Sequence, residues 1–342
     1  MSNSRPLKGI NVLTLGGIGP VPFAGMVLAD LGATVTRVER PGAGAGPGSV
    51  PHDVLFRDQI LWERNLKDPA HVSEILDRLP STHILLEGFR PGVAERLGLG
   101  PEEAMRANPA LVYGRMTGWG QSGPLAQRAG HDINYVAISG ALEPIAGADG
   151  TPVPPMNLLG DFGGGSMYLI AGALAALIRA NLTGQGSVID AAIVDGCASM
   201  TAMLHSLRAA GQWSGGRAGN LLDGGAPFYS VYRTADDRYM TVGAIEPQFY
   251  AELVEKLGLE GELDPAKQYD ESTWPAMREA FARTFAAKTQ REWTQVFEGS
   301  DACAFEVVAP DEVLSHPHLA ARQSYVERDG VTHPSPAPRF LA

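Results

Sequence analysis

The chain has 342 residues, of which 44% are hydrophobic and 19% charged, and its formal net charge is −11. A globular composition at this length usually covers more than one hydrophobic core, so two domains are expected. The negative charge argues against a general nucleic-acid binder, which needs a basic surface to neutralise phosphates.

The cysteines and the apolar runs indicate a compartment. Cys197 and Cys303 are too few for a disulfide framework and too far apart for a metal-binding knuckle. The N-terminal stretch has no apolar core of a signal peptide. The longest apolar run, from Met167 to Ile178, is shorter than a bilayer span. We therefore expect a soluble cytoplasmic protein with no bound metal and no membrane segment.

The first half of the chain repeats strand, glycine-rich turn and helix. This repetition predicts an open α/β sheet with parallel strands and right-handed crossovers, in which ligands bind at the carboxyl edge. The predicted strands cover residues 10–15, 34–38, 82–86, 111–116 and 187–192, and the predicted helices cover 23–31, 72–79, 101–107, 163–180 and 195–210.

A different pattern follows. Residues 212–228 are rich in glycine and lack an apolar period, which is typical of a linker. Beyond them, a hairpin is predicted from strands at 229–234 and 239–244, and helices are predicted at 248–257, 274–287 and 290–298. This second region is predicted to be a small α+β domain.

The turn GGIG at residues 16–19, with Glu39 after the next strand, is similar to a dinucleotide-binding fingerprint. However, Pro20 and Pro22 occupy the turn and the helix start, where they remove backbone N–H groups that would hold a pyrophosphate. The pattern is therefore a poor match to a nicotinamide-dependent enzyme.

Four cations lie near the predicted carboxyl edge of the sheet: Arg40, Lys67, Arg90 and Arg96. In an acidic protein, such a group suits a phosphorylated anion. The alternative is a scatter of solvated surface charges, and composition alone favours that alternative.

Two residues are candidates for acid–base chemistry. His131 lies between a glycine and an aspartate, and imidazoles titrate near neutral pH; the alternative is a structural histidine bonded to the backbone. Asp161 precedes an apolar helix, where it could be a simple N-cap. Glycines at 163–165 weaken that helix start, which makes sense if free N–H groups face a developing negative charge.

Longer motifs identify a family. The chain resembles the α-methylacyl-CoA racemases of the family III CoA-transferase superfamily over residues 7–340. The motifs that carry the resemblance are GIGPVPFAGMVLADLGA, EGFRPGVAERLGLGP, RMTGWGQSGP, AGHDINY, NLLGDFGGGSMYL, LLDGGAPFY and GAIEPQFY.

The resemblance implies a fold and an assembly. It implies a large Rossmann-like, coenzyme-A-binding domain from residues 1–211 and 320–342, a linker at 212–228 and a small α+β domain at 229–319. It also implies an interlocked homodimer, with the linker wrapping the partner and the active site at the interface.

The resemblance also implies an activity. This is inversion of the α-carbon of 2-methylacyl-CoA thioesters by two-base proton transfer through an enolate, with coenzyme A as part of the substrate and no separate cofactor. His131 and Asp161 stand at the acid–base positions, and Glu246 matches a carboxylate of the partner subunit that orients the histidine. Residues at coenzyme-A-contacting positions are Arg40, Arg64, Asn65, Leu66, Lys67, Gly88, Phe89, Arg90, Arg96, Gly130, Asp132, Ile133, Asn134 and Tyr135.

One segment departs from the family pattern. Relatives carry a more basic run before Lys67, whereas this chain has Asp58, Gln59 and Glu63 there. The departure concerns the nucleotide end of coenzyme A and not the acid–base pair.

The chemistry of racemisation explains the pair. The carbon next to a thioester carbonyl is a weak acid, so its proton is removed by a base on one face and replaced by an acid on the other. His131 and Asp161 are unlike groups that could flank this carbon, and the N–H groups of residues 163–165 could hold the enolate oxygen.

Two other functions remain open. In a family III CoA transferase, Asp161 would be a nucleophile that forms an anhydride, and no histidine base is required. A non-catalytic coenzyme-A-binding scaffold would bury both residues in structural bonds. The acyl group also stays open, with Met200, Met203 and Met240 as candidates for an adaptable surface.

Overall fold

The computed structural model describes residues 5–42, 53–147, 149–213 and 215–340. The chain forms two compact units. Unit 1 comprises Met1–Leu142, Pro154–Ala202 and Tyr325–Ala342, and unit 2 comprises Glu143–Val153 and Met203–Ser324. These divisions lie at other positions than the predicted boundaries, because the short segment Glu143–Val153 and the residues from Met203 onward make their contacts within unit 2.

Unit 1 contains a six-stranded parallel sheet in the order β3-β2-β1-β4-β5-β6. The central strand β1 pairs with both β2 and β4, so that Leu13 lies between Thr36 and Leu85. The strand order reverses between β1 and β4, which is where open α/β sheets bind ligands. The strands are β1 (Asn11–Leu15), β2 (Thr34–Glu39), β3 (Ile60–Glu63), β4 (Ile84–Glu87), β5 (Val112–Thr117) and β6 (Ser187–Ala192).

Helices cover both faces of this sheet. Proline at the first helical position starts α1, α2 and α4, where its missing N–H group costs nothing. The helices are α1 (Pro20–Asp30), α2 (Pro69–Arg78), α3 (Val93–Arg96), α4 (Pro101–Ala107), α5 (Asp132–Ile138), a π-helical segment (Leu159–Met167), α6 (Tyr168–Thr183) and α7 (Ile193–Met200). The next helix, α8 (Ala202–Ala209), belongs to unit 2 from Met203 onward. Short 3₁₀ turns lie at Val54–Phe56, Leu79–Ser81 and Met156–Leu158.

The buried side chains form one core on each face of the sheet. Leu86 packs with Leu28 of α1 and Leu169 of α6. Its neighbour Leu85 points the other way and packs with Ile75 of α2. This alternation follows from the two-residue period of a strand and confirms the predicted parallel α/β sheet.

The helical stretch Met156–Thr183 is both long and apolar. It has 28 residues and a mean hydropathy of 1.4, so by length and composition alone it could cross a membrane. It extends beyond the predicted apolar run, which ended at Ile178. Its inner face packs against β5 and β6 with Leu169 and Ala173 fully buried, and core helices of this kind pass the same test.

Unit 2 is built around an antiparallel sheet in the order β7-β8-β9. Its core contains Phe228, Phe281 and Trp293, which are fully buried. The elements are β7 (Tyr229–Arg233), β8 (Tyr239–Gly243), α9 (Pro247–Leu257), 3₁₀ turns at Pro265–Lys267 and Glu271–Thr273, α10 (Trp274–Phe285), α11 (Gln290–Phe297), β9 (Ala304–Glu306) and α12 (Pro317–Arg322). The last hairpin, β10 (Tyr325–Arg328) and β11 (Val331–Pro334), belongs to unit 1.

Several expectations require correction. Residues 212–228 are not a bare linker where they are described (Ser214 lies outside the described residues), because Ala226 and Phe228 are fully buried and Asn220 is 4% exposed. The predicted helix 195–210 is two helices, α7 and α8, which break where Thr201 leaves the helical region. Met240 is fully buried in the core of unit 2 and is therefore not part of an adaptable surface.

Candidate active site

The turns after β1 and β4 pack closely where the strand order reverses. A Cβ atom on Gly88 would lie 3.1 Å from the Cα atom of Gly17, and one on Gly16 would lie 2.5 Å from the ring of Phe89. Glycine at these positions therefore permits the contact between the two turns. Both turns lie at the carboxyl edge of the sheet, where other site residues are also found.

Asp161 lies in the π-helical segment, and its carboxylate lies against the first of these turns. A Cβ atom on Gly19, which has φ +67°, would lie 2.7 Å from Asp161 Oδ2. In dinucleotide-binding proteins, a pyrophosphate takes the place beside this turn and the start of α1. The carboxylate of Asp161 occupies that place, so the dinucleotide hypothesis does not fit.

The environment of Asp161 raises its pKa to about 6. Burial is the main cause, because it disfavours the charged form, and the negative charge of Asp132 adds to it. A hydrogen bond with the Asn157 side chain and the nearby His131 act in the opposite direction. A carboxyl group with this pKa can both give and take a proton near neutral pH.

His131 lies at the residue before α5 and is exposed. Its backbone N–H group donates to Oδ1 of Asn134 at 3.0 Å, and its backbone oxygen accepts from the N–H group of Asn134 at 2.8 Å. These two bonds fix the backbone of His131 at the helix start. The structure therefore brings His131 close enough to Asp161 to act on the pKa of the Asp161 carboxyl.

The glycines at 163–165 serve packing. They lie inside the π-helical segment, which is preceded by Leu158, and not at a helix start with free N–H groups. A Cβ atom on Gly196 of α7 would lie 1.8 Å from the backbone oxygen of Gly164, and one on Gly164 would lie 2.6 Å from Sγ of Cys197. The N-cap alternative for Asp161 is wrong, because Asp161 lies inside this segment, whereas the role of the N–H groups of residues 163–165 toward an enolate oxygen stays a prediction.

A cavity of about 130 Å³ opens at the ends of β4 and β5. The hydroxyl of Tyr135 donates to the backbone oxygen of Gly130, and its ring lies edge-on to Trp119 with the centroids 4.7 Å apart. Several of the predicted coenzyme-A-contacting residues line the cavity, together with Trp119 and Arg128, which were not among the predicted site residues. The predicted residues that line it are Gly88, Phe89, Arg90, Gly130 and Tyr135.

The four predicted cations Arg40, Lys67, Arg90 and Arg96 are all exposed. Among the described residues, none of these four forms an ion pair with a carboxylate. They are thus available to an anionic ligand, although exposure is equally what solvated surface charges show.

The segment that departs from the family pattern forms the edge strand β3, which no pattern predicts because most of its side chains are exposed. Arg64, directly after it, pairs with Glu74 at 2.7 Å and lies over the ring of Trp62. Leu66 packs on the core, and Asn65 accepts a hydrogen bond from the N–H group of Lys67. Arg64 and Leu66 therefore already have partners within the fold.

A buried ionic cluster lies beneath the turn that carries Arg90. Nε of Arg115 lies 2.9 Å from Oε1 of the fully buried Glu87, and a second nitrogen lies 2.8 Å from Glu95 at the start of α3. Burial raises the pKa of Glu87, against the lowering effects of Arg115 and of the Phe89 N–H group, which donates to it at 2.7 Å. The only sequence signal for this cluster is a carboxylate at the end of an apolar strand.

The remaining predicted residues have diverse positions. Glu246 is exposed and precedes α9 in unit 2. Ile133 is exposed, and Asn134 is bonded to His131 as described above. The carboxylate of Asp132 accepts a hydrogen bond from the backbone of Asp161 at 2.6 Å, so it has a partner inside the protein.

Comparisons with known proteins agree with the fold and show the family of the chain. The model of CoA-transferase family III matches residues 7–342. The alpha-methylacyl-CoA racemase of Mus musculus is 45% identical over 335 residues, which cover 98% of this chain and 86% of that protein. That of Homo sapiens is 44% identical over 339 residues, with the same coverage. The crystal structure of Rv3272 from Mycobacterium tuberculosis has a TM-score of 0.81 and 26% identity, and covers 98% of this chain and 93% of its own.

Proposed function

The chain belongs to CoA-transferase family III, and we propose that it inverts the α-carbon of 2-methylacyl-CoA thioesters by proton transfer between His131 and Asp161. The observation that carries this proposal is the position of Asp161, half-buried beside the helix start of His131, with its pKa raised to about 6. The racemase names of the mouse and human relatives support the same activity.

The two residues have complementary tasks. In one direction the neutral imidazole of His131 removes the α-proton, and the carboxylic acid of Asp161 delivers a proton to the opposite face. In the reverse direction the carboxylate of Asp161 is the base. A carboxyl group with an ordinary pKa would be fully ionised near neutral pH and a poor proton donor, so burial of Asp161 serves both directions.

Coenzyme A enters the proposal as part of the substrate, and the reaction needs no further cofactor because only a proton moves. The exposed cations Arg40, Lys67, Arg90 and Arg96 suit its phosphates. The cavity beside Tyr135 and Arg90 suits a narrower portion of the same molecule. Met200 and Met203 are exposed and could cover an acyl group.

We also propose that two chains assemble as an interlocked homodimer in the cytoplasm, with Glu246 of the partner subunit orienting His131. Unit 1 exposes an apolar stripe on α6 and β6, where Ile178 is 62% and Leu182 81% exposed. Such stripes usually mark an interface. The two cysteines are unpaired, in keeping with a reducing compartment. Sedimentation of the wild type and of Leu182→Glu tests the assembly: a dimer converted to monomer supports it, and a monomeric wild type contradicts it.

The rival activity is CoA transfer through Asp161 as a nucleophile. Incubation of the protein in deuterated water with a 2-methylacyl-CoA, with and without a free carboxylic acid, separates the two. We expect deuterium at the α-carbon and loss of enantiomeric excess in both mixtures. Formation of a new acyl-CoA from the free acid, without α-deuteration, would contradict the racemase proposal.

A further inference from the structure

The carboxylate of Asp132 is directed at the backbone beside Asp161. Its Oδ1 atom lies 2.6 Å from the backbone nitrogen of Asp161. The backbone N–H group of Gly160 also favours the charged form of this carboxylate, although burial raises its pKa overall. A charged acceptor forms a stronger anchor than a neutral hydrogen bond.

Glycine at residue 160 leaves room for the contact between Asp132 and the backbone of Asp161. A Cβ atom on Gly160 would lie 2.1 Å from Oδ1 of Asp132 and 2.9 Å from Val136. A side chain at residue 160 would therefore displace the carboxylate of Asp132 from this position. The absence of a side chain there permits the short contact between Asp132 and the peptide groups around Asp161.

Asp132 thus joins the two elements that carry the acid–base pair. It is the next residue after His131 along the chain, and its carboxylate accepts a hydrogen bond from the backbone of Asp161. The carboxylate is thus bonded within the protein, and a contact of residue 132 with coenzyme A stays a prediction.

Resting on the racemase activity proposed above, we propose that Asp132 is a positioning residue for catalysis: its carboxylate fixes Asp161 relative to His131. The requirement is geometric, because two groups must reach opposite faces of one carbon atom. Misplacement of a reacting group by about 1 Å costs on the order of 100-fold in rate.

The same carboxylate has an electrostatic effect. Its negative charge is the second largest cause, after burial, of the raised pKa of Asp161. Other titratable groups that interact with Asp161 are His131 and Tyr135 from the α5 region and Cys197 from α7, and Gly19, directly before α1, lies against its carboxylate. Removal of the charge at residue 132 therefore lowers the pKa of Asp161 and extends its ionised form to lower pH.

Two variants separate geometry from charge. Asp132→Asn keeps an oxygen acceptor for the Asp161 N–H group but removes the charge, whereas Asp132→Ala removes both. Asp77→Asn, on the exposed face of α2, is the matched control. The rates of α-proton exchange and inversion are measured for both enantiomers of one 2-methylacyl-CoA from pH 4.5 to 9, and thermal melts check the fold.

We expect Asp132→Ala to lower kcat by about 100-fold while KM changes less than about 3-fold. Asp132→Asn recovers most of kcat. For the enantiomer whose proton Asp161 removes, it shifts the acidic limb of the kcat profile to lower pH. The control matches the wild type in every respect.

A folded Asp132→Ala variant with unchanged kcat and a raised KM would overturn the proposal, since Asp132 would then contact coenzyme A. Equal loss of kcat in both variants without a shift of the pH profile would overturn it as well. Failure of the racemase activity itself is separate, because it would leave the wild type without any α-proton exchange.

Discussion

Asp161 and the four cations Arg40, Lys67, Arg90 and Arg96 belong to the same unit, yet the chain holds them by different means. Asp161 lies on a segment packed against α1, α5 and α7, with glycines that admit its neighbours. The cations are exposed, with Arg96 at the end of α3 and the other three after strands or in turns. The first arrangement is closely packed and half-buried, and the second is open to water.

This difference matches what each region does in the proposed reaction. Proton transfer depends steeply on distance and on pKa, so it needs fixed packing and burial. Attraction of phosphates works through longer-range charge and tolerates mobile side chains. We therefore expect substitutions in the first region to change stability or kcat, and substitutions in the second to change KM.

The largest effect on stability should come from Arg115→Met, beneath the turn that carries Arg90. It leaves Glu87 buried without its cation, and breaking a buried pair in this way costs about 3–5 kcal/mol. The cost should shrink at low pH, where Glu87 accepts a proton. Urea unfolding at pH 5 and 8 measures it. Arg106→Met, which breaks an exposed pair with Glu102, is the control and should cost under about 1 kcal/mol; equal costs for the two variants would contradict the account.

Gly196→Ala should have the next largest effect. Its methyl group would lie 1.8 Å from the backbone oxygen of Gly164, so α7 must move away from the Asp161 segment. Overpacking of this kind costs about 1–3 kcal/mol, and kcat should fall with it. Gly261→Ala, where a methyl group meets nothing within 4 Å, is the control. Unchanged melting and kcat in Gly196→Ala would show that the close packing is not required.

Arg90→Gln should act on affinity alone. We expect KM for the thioester to rise about 10-fold at low salt, with a smaller rise at high salt because ions screen the charge. The melting temperature and kcat should stay within error, since Arg90 is exposed. Lys8→Gln, before β1 and so at the amino edge of the sheet, is the control cation. A fall in kcat with constant KM would show that Arg90 acts on the proton transfer, and would contradict the assignment of the exposed cations to binding.

The smallest effect concerns stability at Asp161. Because its pKa is raised in the folded state, the folded protein holds a proton that the unfolded chain releases, and stability from this group is lost as pH rises through about 6. Asp161→Asn should therefore raise the melting temperature at pH 7.5 by about 2 °C and leave it unchanged near pH 4.5. A lower melting temperature for the variant at pH 7.5 would show that burial of the charge is not costly.

Much of the fold could be predicted from the pattern of the sequence. The period of apolar residues predicted five of the six parallel strands and the longer helices of both units within a few residues, but not the short helices α3, α5 and α12. The sequence pattern does not predict the edge strand β3, because its side chains are mostly exposed and show no alternation of buried and exposed residues. The break between α7 and α8 at Thr201 is not predicted either, because the apolar pattern of the sequence continues across it.

The candidate site was harder to predict, and the reason is physical. Glycines at 163–165 have the same sequence signal whether they free N–H groups for a ligand or admit a helix, and the deciding partner, Gly196, is some thirty residues away. Likewise, Asp132 can be recognised as a motif residue, but only the structure shows that its carboxylate is bonded to the backbone of Asp161. Local sequence does not encode which distant backbone a side chain will reach.

The central claim is that His131 and Asp161 are the two bases of an inversion. The most direct test is the rate of inversion of an enantiopure 2-methylacyl-CoA by the wild type, His131→Ala and Asp161→Asn, with thermal melts to confirm that each variant is folded. The account predicts inversion by the wild type and a loss of about 1,000-fold or more in each variant. Inversion at near wild-type rate by either folded variant would contradict it.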